Sequence, residues 1–261
     1  MKFCSLSSGS NGNCEYIEYK NTKILIDAGL SGKKIEGLLK SIDVDISEID
    51  AIFVTHEHLD HIKGVGVLSR RHDLKVFATS ETFHNMLPTI KDIKTENSFL
   101  FENSKPFYFK DLYIDPINSF HDCENGTCFS VTGDKKVSVV TDTGWINTEL
   151  LEKMENSSLY YIEANHDYDM LINGSYPWSL KQRIISNRGH LSNVNAAEAL
   201  QKLINKKKEI VMLSHLSNDN NLPRLATRTV RDFLSNKNIL EGTDYILEVS
   251  PREEASIVHE L

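Results

Sequence analysis

One short stretch decides how this chain is to be understood: Thr55-His56-Glu57-His58-Leu59-Asp60-His61. It places three imidazoles and the carboxylate of Asp60 within six residues, directly after Ala51-Ile52-Phe53-Val54, an apolar run typical of a buried strand. Imidazole nitrogen and carboxylate oxygen are the donors that borderline metals such as Zn²⁺ prefer. The stretch therefore predicts a metal site at the end of a buried strand.

The spacing inside this stretch indicates two ions. At the end of a strand His56 and His58 point the same way, because side chains alternate with a period of two. If the chain becomes helical at Leu59, Asp60 and His61 can turn toward a neighbouring position. One pair of ligands then serves one ion and the second pair serves another. Glu57 points away from His56 and His58, so we interpret it as structural.

Composition limits the class of protein. The chain has 261 residues, of which 40% are hydrophobic and 25% charged, and its net charge is −8. These values describe an ordinary globular protein and exclude a disordered chain, a collagen-like repeat and a disulfide scaffold. A pI near 5.7 also excludes a wholly basic nucleic-acid-binding protein. Any site for a polyanion must be a local patch on an acidic body.

Several absences predict a cytoplasmic enzyme with no membrane partner. The N-terminus lacks the apolar core of a signal peptide, and no apolar run is long enough to span a membrane. The four cysteines lack Cys-x-x-Cys spacing, so we expect reduced thiols. No repeat, linker or low-complexity tract interrupts the chain, which predicts one domain over residues 1–261. The oligomeric state is left open.

Short β-rich runs alternate with amphipathic stretches along the whole chain. The predicted strands are Cys14–Tyr19, Lys23–Asp27, Ala51–Thr55, Lys75–Thr79, a series within Ser98–Val140, Leu159–Glu163, Glu209–Leu213 and Tyr245–Val249. The predicted helices are Lys33–Ile42, His61–Arg71, Asn147–Asn156, Trp178–Ser186, Asn193–Ile204 and Leu222–Ser235. This pattern favours a layered α/β sandwich over a doubly wound sheet.

The H-x-H-x-D-H stretch resembles the signature of the metallo-β-lactamase superfamily. Three later residues stand where that family carries further ligands, each after a strand-like run: His121, Asp142 and His215. The resemblance covers nearly the whole chain and implies an α/β fold of αββα type, with two facing mixed β-sheets and helices on the outer faces. It assigns one ion to His56, His58 and His121, and the other to Asp60, His61 and His215, with Asp142 bridging.

Two divalent ions in such a site lie about 3.5–4 Å apart and hold a hydroxide that attacks the substrate. Zn²⁺ is our first choice of cofactor, and the two carboxylates also admit Mn²⁺ or Fe²⁺. Asp60, a ligand beside the bridging position, can also orient the water or accept its proton.

A second motif, Gly189-His190-Leu191-Ser192-Asn193, precedes a predicted helix. It is similar to an element of the phosphodiesterase branch of the superfamily, which includes ribonuclease Z-like and PhnP-like enzymes. In that reading a phosphate lies at the helix N-terminus and His190 is the general acid for the leaving oxygen. Glu163 is the candidate that orients His190, with Asp122 and Asp167 as alternatives.

Substrate contacts are predicted from three regions. The small polar loop after Ser5 exposes N–H groups that suit an anion. Three arginines recur at helical spacing, opposite Leu222, Leu225 and Phe233: Arg224, Arg228 and Arg231. Arg183 and Arg188 precede His190. The candidate substrate-binding residues are Ser8, Ser10, Asn11, Asn13, His166, Ser192, Asn193, Asn218, Arg224 and Arg228. The role of His166 is left open.

Together these motifs resemble the YycJ/WalJ-type metallo-hydrolases, which implies a DNA 5′→3′ exonuclease with nucleic acid as partner. Only 73 positions separate Asp142 from His215, too few for an inserted β-CASP domain. The first alternative is a thioester or lactone hydrolase of glyoxalase II type, which shares the metal residues. The second is a metal-bearing nucleic-acid-binding module without catalysis.

Overall fold

Two mixed β-sheets of seven strands each lie face to face in the computed structural model, which describes residues 1–261. The first sheet contains, in spatial order, β14 (His259–Glu260), β1 (Lys2–Ser7), β2 (Cys14–Tyr19), β3 (Thr22–Ile26), β4 (Ala51–Phe53), β5 (Lys75–Thr79) and β6 (Ser98–Phe101). Strands β14 to β3 pair antiparallel, and β3 to β6 pair parallel.

The second sheet also has one parallel part and one antiparallel part. In spatial order it contains β13 (Tyr245–Val249), β12 (Glu209–Ser214), β11 (Leu159–Glu163), β10 (Lys136–Val140), β9 (Thr127–Thr132), β8 (Leu112–Asn118) and β7 (Phe107–Phe109). Strands β13 to β10 are parallel, and β10 to β7 are antiparallel. The two faces that meet are apolar, with Phe53 and Phe129 in edge-to-face contact at 6.0 Å.

Helices cover both outer faces. They are α1 (Gly32–Ser41), α2 (Leu59–Ile62), α3 (Val65–His72), α4 (Ser80–Ile90), α5 (Thr148–Met154), α6 (Tyr168–Asn173), α7 (Trp178–Ile185), α8 (Asn193–Leu203) and α9 (Pro223–Ser235). Ile35, Leu68 and Met86 pack helices on the first sheet, whereas Leu200 and Val230 pack helices on the second. This αββα arrangement confirms the predicted fold class.

One predicted helix is wrong, and two helices were not predicted. Residues 61–71 form two helices instead of one, because the chain turns at Gly64, whose N–H donates to Ala28 O at 2.7 Å. A Cβ on Gly64 would lie 2.5 Å from Leu30 O, so only glycine fits this close approach between the two helices. Helix α4 was not predicted, since Pro88 lies inside it. Helix α6 is short and was also missed, although Asp167 caps it through a bond from Met170 N.

Helix α9 packs on the core with a different face from the one predicted. Its buried residues are Ala226, Val230 and Leu234, at successive intervals of four, and Leu222 is 40% exposed. The predicted apolar face of Leu222, Leu225 and Phe233 is therefore not the packed one, although Phe233 also touches the core. An interval of four keeps residues on one helix face, which explains the observed choice.

None of the helices combines the length and the apolar composition that a membrane-spanning segment requires. The four cysteines are buried, and none of them forms a disulfide.

Site residues follow the carboxyl ends of parallel strands in both sheets. Asp27 follows β3 and His56 follows β4 in the first sheet, while Asp142 follows β10 and His215 follows β12 in the second. Because the carboxyl ends of parallel strands meet at one edge, each sheet gathers its polar residues there.

Candidate active site

Three histidines form the first group of donors. His56 follows β4 in extended backbone, His58 precedes α2, and His121 lies in the loop between β8 and β9. His56 Nε2 is 3.0 Å from His58 Nδ1, and all three histidines offer a nitrogen within 4.8 Å of the others. Burial lowers the pKa of His56 well below its ordinary value, so this ring is neutral and presents a lone pair.

His61 is buried on α2 and is held from behind by Asp27. His61 Nδ1 lies 2.6 Å from Asp27 Oδ2, which leaves Nε2 facing the site. Asp27 in turn accepts hydrogen bonds from Thr55 N at 2.8 Å and from Thr55 Oγ1 at 2.7 Å. The sequence analysis missed Asp27. Its position at the end of a strand, like that of the other site residues, was the signal that could have revealed it.

Asp142 lies at the centre of the site. Its Oδ2 is 3.1 Å from His61 Nε2 and 3.0 Å from His215 Nδ1, and its Oδ1 is 3.8 Å from His121 Nε2. Burial alone would raise the pKa of Asp142, but His215 and His61 hold it well below the ordinary value. An ionised carboxylate thus lies between donors that come from both sheets.

A second group contains Asp142, Glu163, His190 and His215. Glu163 is fully buried at the end of β11, and its Oε1 is 2.7 Å from His190 Nδ1. Burial alone would lower the pKa of His190, but the charge of Glu163 raises it above the ordinary value. Of the three carboxylates considered as partners of His190, Glu163 is the one in hydrogen-bond contact.

Three of these residues have left-handed backbones. Asp27 has a φ of 59°, and Asp142 and His215 each have a φ of 51°. Such values are uncommon for residues other than glycine and cost about 1–3 kcal/mol each when the surroundings enforce them. In all three cases the residue follows a strand, so the kink turns its side chain into the site.

The donor set fits two divalent cations. Its atoms form one group of three histidines, a second of Asp142, Glu163, His190 and His215, and a third of His56, His61 and Asp142. Asp142 Oδ2 and His215 Nδ1 are buried and make no hydrogen bond. Buried polar atoms without partners are costly, and a cation would satisfy both of these. Asp60 Oδ2 lies 3.7 Å from His61 Nε2, at the margin of these groups.

The loop that carries His121 is fastened by residues predicted for other roles. Arg188 donates to His121 O and Cys123 O, each at 3.1 Å, and Arg183 pairs with Asp122. Both arginines were expected to receive phosphates, but these internal carbonyl and carboxylate partners engage their guanidinium groups. Glu57 accepts a bond from Glu124 N at 3.1 Å, in line with its predicted structural role.

Two predicted substrate-binding residues are buried beneath the site. Ser8 is 3% exposed and its Oγ accepts a bond from His215 N at 2.8 Å. Asn13 is 1% exposed, and its Nδ2 lies 3.0 Å from His61 Nε2. The polar side-chain atoms of both residues contact the residues that form the site, so they lie beneath the site and not on an open surface.

Three further candidates belong to the framework around α8: Ser192, Asn193 and His166, whose carbonyl accepts a bond from Asn193 N at 2.9 Å. Ser192 caps α8 by accepting a bond from Asn195 N, and Asn193 is buried and bonded to Asn221. His166 is 2% exposed, and burial lowers its pKa to about 4, so the ring is neutral. The side chains of Ser192 and Asn193, which were predicted to bind substrate, are therefore not free in this structure. Their hydrogen-bonding atoms already serve the helix and the neighbouring loop.

The remaining candidates are exposed. Ser10 and Asn11 lie at the tip of the loop between β1 and β2, and Asn218 lies in the loop after β12. Arg224 and Arg228 project from the exposed side of α9. Ser10 also lines a cavity of about 190 Å³ beside His190. These five residues are free to meet a substrate.

Comparison with known proteins agrees with this geometry. Residues 8–132 match the family model of the Metallo-beta-lactamase superfamily. Among solved structures, the metallo-beta-lactamase fold protein YhfI from Bacillus subtilis superposes with a TM-score of 0.74 over 100% of both chains. Its sequence identity is 16%, so this likeness establishes the fold alone.

Curated relatives extend the match to nearly the full chain. Exodeoxyribonuclease YycJ of Bacillus anthracis is 38% identical over 91% of this chain and 90% of its own length. Exodeoxyribonuclease WalJ of Streptococcus pneumoniae (strain D39) is 39% identical over 96% of this chain and 95% of its own length. The chain therefore belongs to the metallo-β-lactamase superfamily and, within it, to the family of the YycJ and WalJ proteins.

Proposed function

We propose that this chain is a dinuclear metal-dependent phosphodiesterase that removes nucleotides from DNA as a 5′→3′ exonuclease. The observation that carries the proposal is the convergence of both sheets on Asp142, which lies 3.1 Å from His61 of one sheet edge and 3.0 Å from His215 of the other. A structural metal site would be a closed cage of four ligands, whereas this donor set is larger and extends to His190.

We assign one ion to His56, His58 and His121, and the other to Asp60, His61 and His215, with Asp142 between them. Zn²⁺ is the first candidate because the set is rich in imidazole, and Mn²⁺ or Fe²⁺ would also accept the carboxylates. When bound, such a pair supplies a water of lowered pKa as nucleophile and Lewis-acid stabilisation of the phosphate oxygens.

The chain's own residues then handle the protons. His190 is placed to donate a proton to the departing oxygen, while Glu163, 2.7 Å from its Nδ1, fixes the ring orientation. Hydrolysis adds the water oxygen to phosphorus and breaks the phosphorus–oxygen bond to the leaving sugar. Asp60 lies beside His61, where it can orient the attacking water or accept its proton.

DNA is proposed as the substrate because the two relatives described above, which match over nearly their full length, carry the name exodeoxyribonuclease. Arg224 and Arg228 on the exposed face of α9 supply the positive charge that a nucleic-acid backbone requires on an otherwise acidic protein. We further propose that residues 1–261 act as one hydrolase domain without an inserted cap.

The test is metal analysis of the purified protein, followed by digestion of end-labelled single- and double-stranded DNA and RNA. We expect about two divalent ions per chain and stepwise release of nucleotides from DNA ends. Hydrolysis of a thioester with no cleavage of bis-p-nitrophenyl phosphate would instead support the glyoxalase II-type alternative. DNA binding without turnover in the presence of Zn²⁺, Mn²⁺ and Fe²⁺ would support the non-catalytic one.

A further inference from the structure

A cavity of about 190 Å³ opens beside His190 and Gly189, and none of the three histidines His56, His58 and His121 lines it. Ligand sites for drug-sized molecules span about 300–1,000 Å³, so this cavity has room for one ring system and its immediate substituents. His190 belongs both to this lining and to the group of Asp142, Glu163 and His215. A ligand in the cavity therefore lies against the ring that we propose as the proton donor.

The cavity has one apolar and one polar wall. The apolar wall is built by the segment between β11 and β12 and consists of Tyr176, Leu180 and Ile184. The polar wall gathers Ser10, Asn165 and Ser217, which come from three different loops at the strand ends.

The aromatic ring of Tyr176 is fixed in its wall. The Tyr176 hydroxyl donates to Asp219 Oδ2 at 2.7 Å, which ties it to the loop that follows His215. The helix beside it is held by Lys181, whose ammonium donates to Ile172 O at 2.7 Å and to Gly174 O at 2.6 Å. A ring held in place at the edge of a cavity is suited to stacking against a flat ligand.

The charges of the lining indicate a neutral occupant. Apart from His190, the one charged side chain in the wall is Arg183, and it is paired with Asp122. Hydroxyl and amide groups supply the remaining polar contacts. A phosphate would need unpaired cations or several free N–H donors, whereas a nucleoside needs an aromatic face and neutral hydrogen-bond partners.

We propose that this cavity binds the base of the terminal nucleotide of the strand being cut, stacked on Tyr176. The proposal rests on the exonuclease function proposed above. When water attacks the phosphorus and the bond to the 3′ oxygen of the terminal nucleotide breaks, that nucleotide is the leaving group and its 3′ oxygen takes the proton from His190, while the phosphate stays on the 5′ end of the shortened strand. A cavity for one base next to His190 explains how release proceeds one nucleotide at a time.

The test combines the removal of the Tyr176 ring with the removal of the terminal base, as in a double-mutant cycle, and uses the metal-loaded protein. Single-stranded oligonucleotides carry either a normal base or an abasic sugar at the 5′ or the 3′ terminal position, and release of that residue is timed in a single turnover. Stacking of one base on an aromatic ring corresponds to about a five- to 150-fold change in rate or affinity. We expect a loss in this range when the wild type meets the abasic end, and a similar loss for Tyr176→Ala on the normal end.

The proposal is tested by the rates of the Tyr176 variants on the abasic substrate compared with their rates on the normal one. Tyr176→Ala should slow the abasic substrate by much less than the normal one, and Tyr176→Phe should keep the base preference. Tyr176→Leu keeps apolar volume without the ring and replaces the alanine variant if that one fails to fold. The matched control is Trp178→Ala, an exposed aromatic two positions away that does not line the cavity.

Equal slowing of both substrates by Tyr176→Ala, or no slowing of either, would overturn the proposal. Failure of the proposed function itself gives a different result, because then the wild type releases no nucleotide from any oligonucleotide.

Discussion

Asp27 Oδ2 lies 2.6 Å from Nδ1 of His61, and both side chains are about 1% exposed. This contact fixes the tautomer of His61 and turns its Nε2 toward Asp142. Partners of this kind behind a metal-binding histidine strengthen metal binding about 10–100-fold. We therefore expect Asp27→Asn to weaken the binding of divalent metal by that factor, measured by competition with a chelator of known affinity. Asp43→Asn is the control, because Asp43 is exposed and has the same φ of 59°. Equal metal affinity in both variants would contradict the assigned role.

The central position of Asp142 predicts a severe loss of activity. Asp142→Ala or His61→Ala should lower DNA hydrolysis by about 10³-fold or more, because each removes a donor between the two sheet edges. Asp142→Asn keeps a residue that tolerates the left-handed backbone and should lose activity equally while remaining closer to wild-type stability. Digestion rates, metal content and thermal unfolding are the measurements, with Asp73→Asn as the exposed control at a φ of 57°. Full turnover in a variant of verified metal content would refute the assignment.

His190 has a role that depends on the leaving group. A general acid contributes about 10²–10⁴-fold when the departing oxygen is basic, as in DNA. The p-nitrophenolate ion departs readily without a proton, so His190→Ala should slow DNA hydrolysis far more than hydrolysis of bis-p-nitrophenyl phosphate. His84→Ala, on the exposed side of α4, is the control. If both substrates lost activity in the same proportion, His190 would be acting on the site in some other way.

Arg224 and Arg228 are expected to set the salt dependence of DNA binding. The logarithm of the affinity falls as the logarithm of the salt concentration rises. Each phosphate contact that is lost makes this slope shallower by about 0.9 for duplex DNA and about 0.7 for single strands. The double Arg224→Ala, Arg228→Ala variant should therefore have a slope that is shallower by about 1.8 for duplex DNA or about 1.4 for single strands. Arg231→Ala on the same helix is the control, because Arg231 is paired with Glu241. An unchanged slope would exclude these arginines from the interface.

Glu15 gives the fold a pH dependence of its own. It is 1% exposed, its Oε1 has no hydrogen-bond partner, and burial and then the charge of Asp27 raise its pKa well above the ordinary value. The folded protein therefore keeps a proton that the unfolded chain releases above about pH 4.3, so the free energy of unfolding falls as pH rises.

Glu15→Gln removes the contribution of this proton to the pH dependence of the free energy of unfolding. The variant should gain stability relative to the wild type as pH rises, by at most about 1.4 kcal/mol per pH unit. Urea unfolding at several values from about pH 6.5 to about pH 8.5 measures the difference. Glu18→Gln serves as the control on the same strand, where the carboxylate is partly exposed and pairs with Lys2. Parallel stability curves for wild type and Glu15→Gln would show that Glu15 is ionised in the folded state.

The features that could be predicted from the sequence are those that depend on residues close together along the chain. His56 to His61 follow an apolar run, and the periodicities of strand and helix led to the sandwich. What the sequence did not predict depends on contacts between distant segments. Asp27 meets His61 across 34 positions, and Arg188 reaches the carbonyl of His121 across 67 positions. Neither contact leaves a periodic trace, so Asp27 was missed and Arg188 was assigned to the substrate.

The strained backbones at Asp27, Asp142 and His215 have a consequence for attempts to improve this protein. Glycine at any of the three would relieve about 1–3 kcal/mol of local strain, but it would also remove a buried side chain, and at Asp27 it would leave Thr55 N without its acceptor. Directed evolution of this scaffold therefore needs a turnover assay at every round, because a screen for heat tolerance alone does not select for the side chains that build the site.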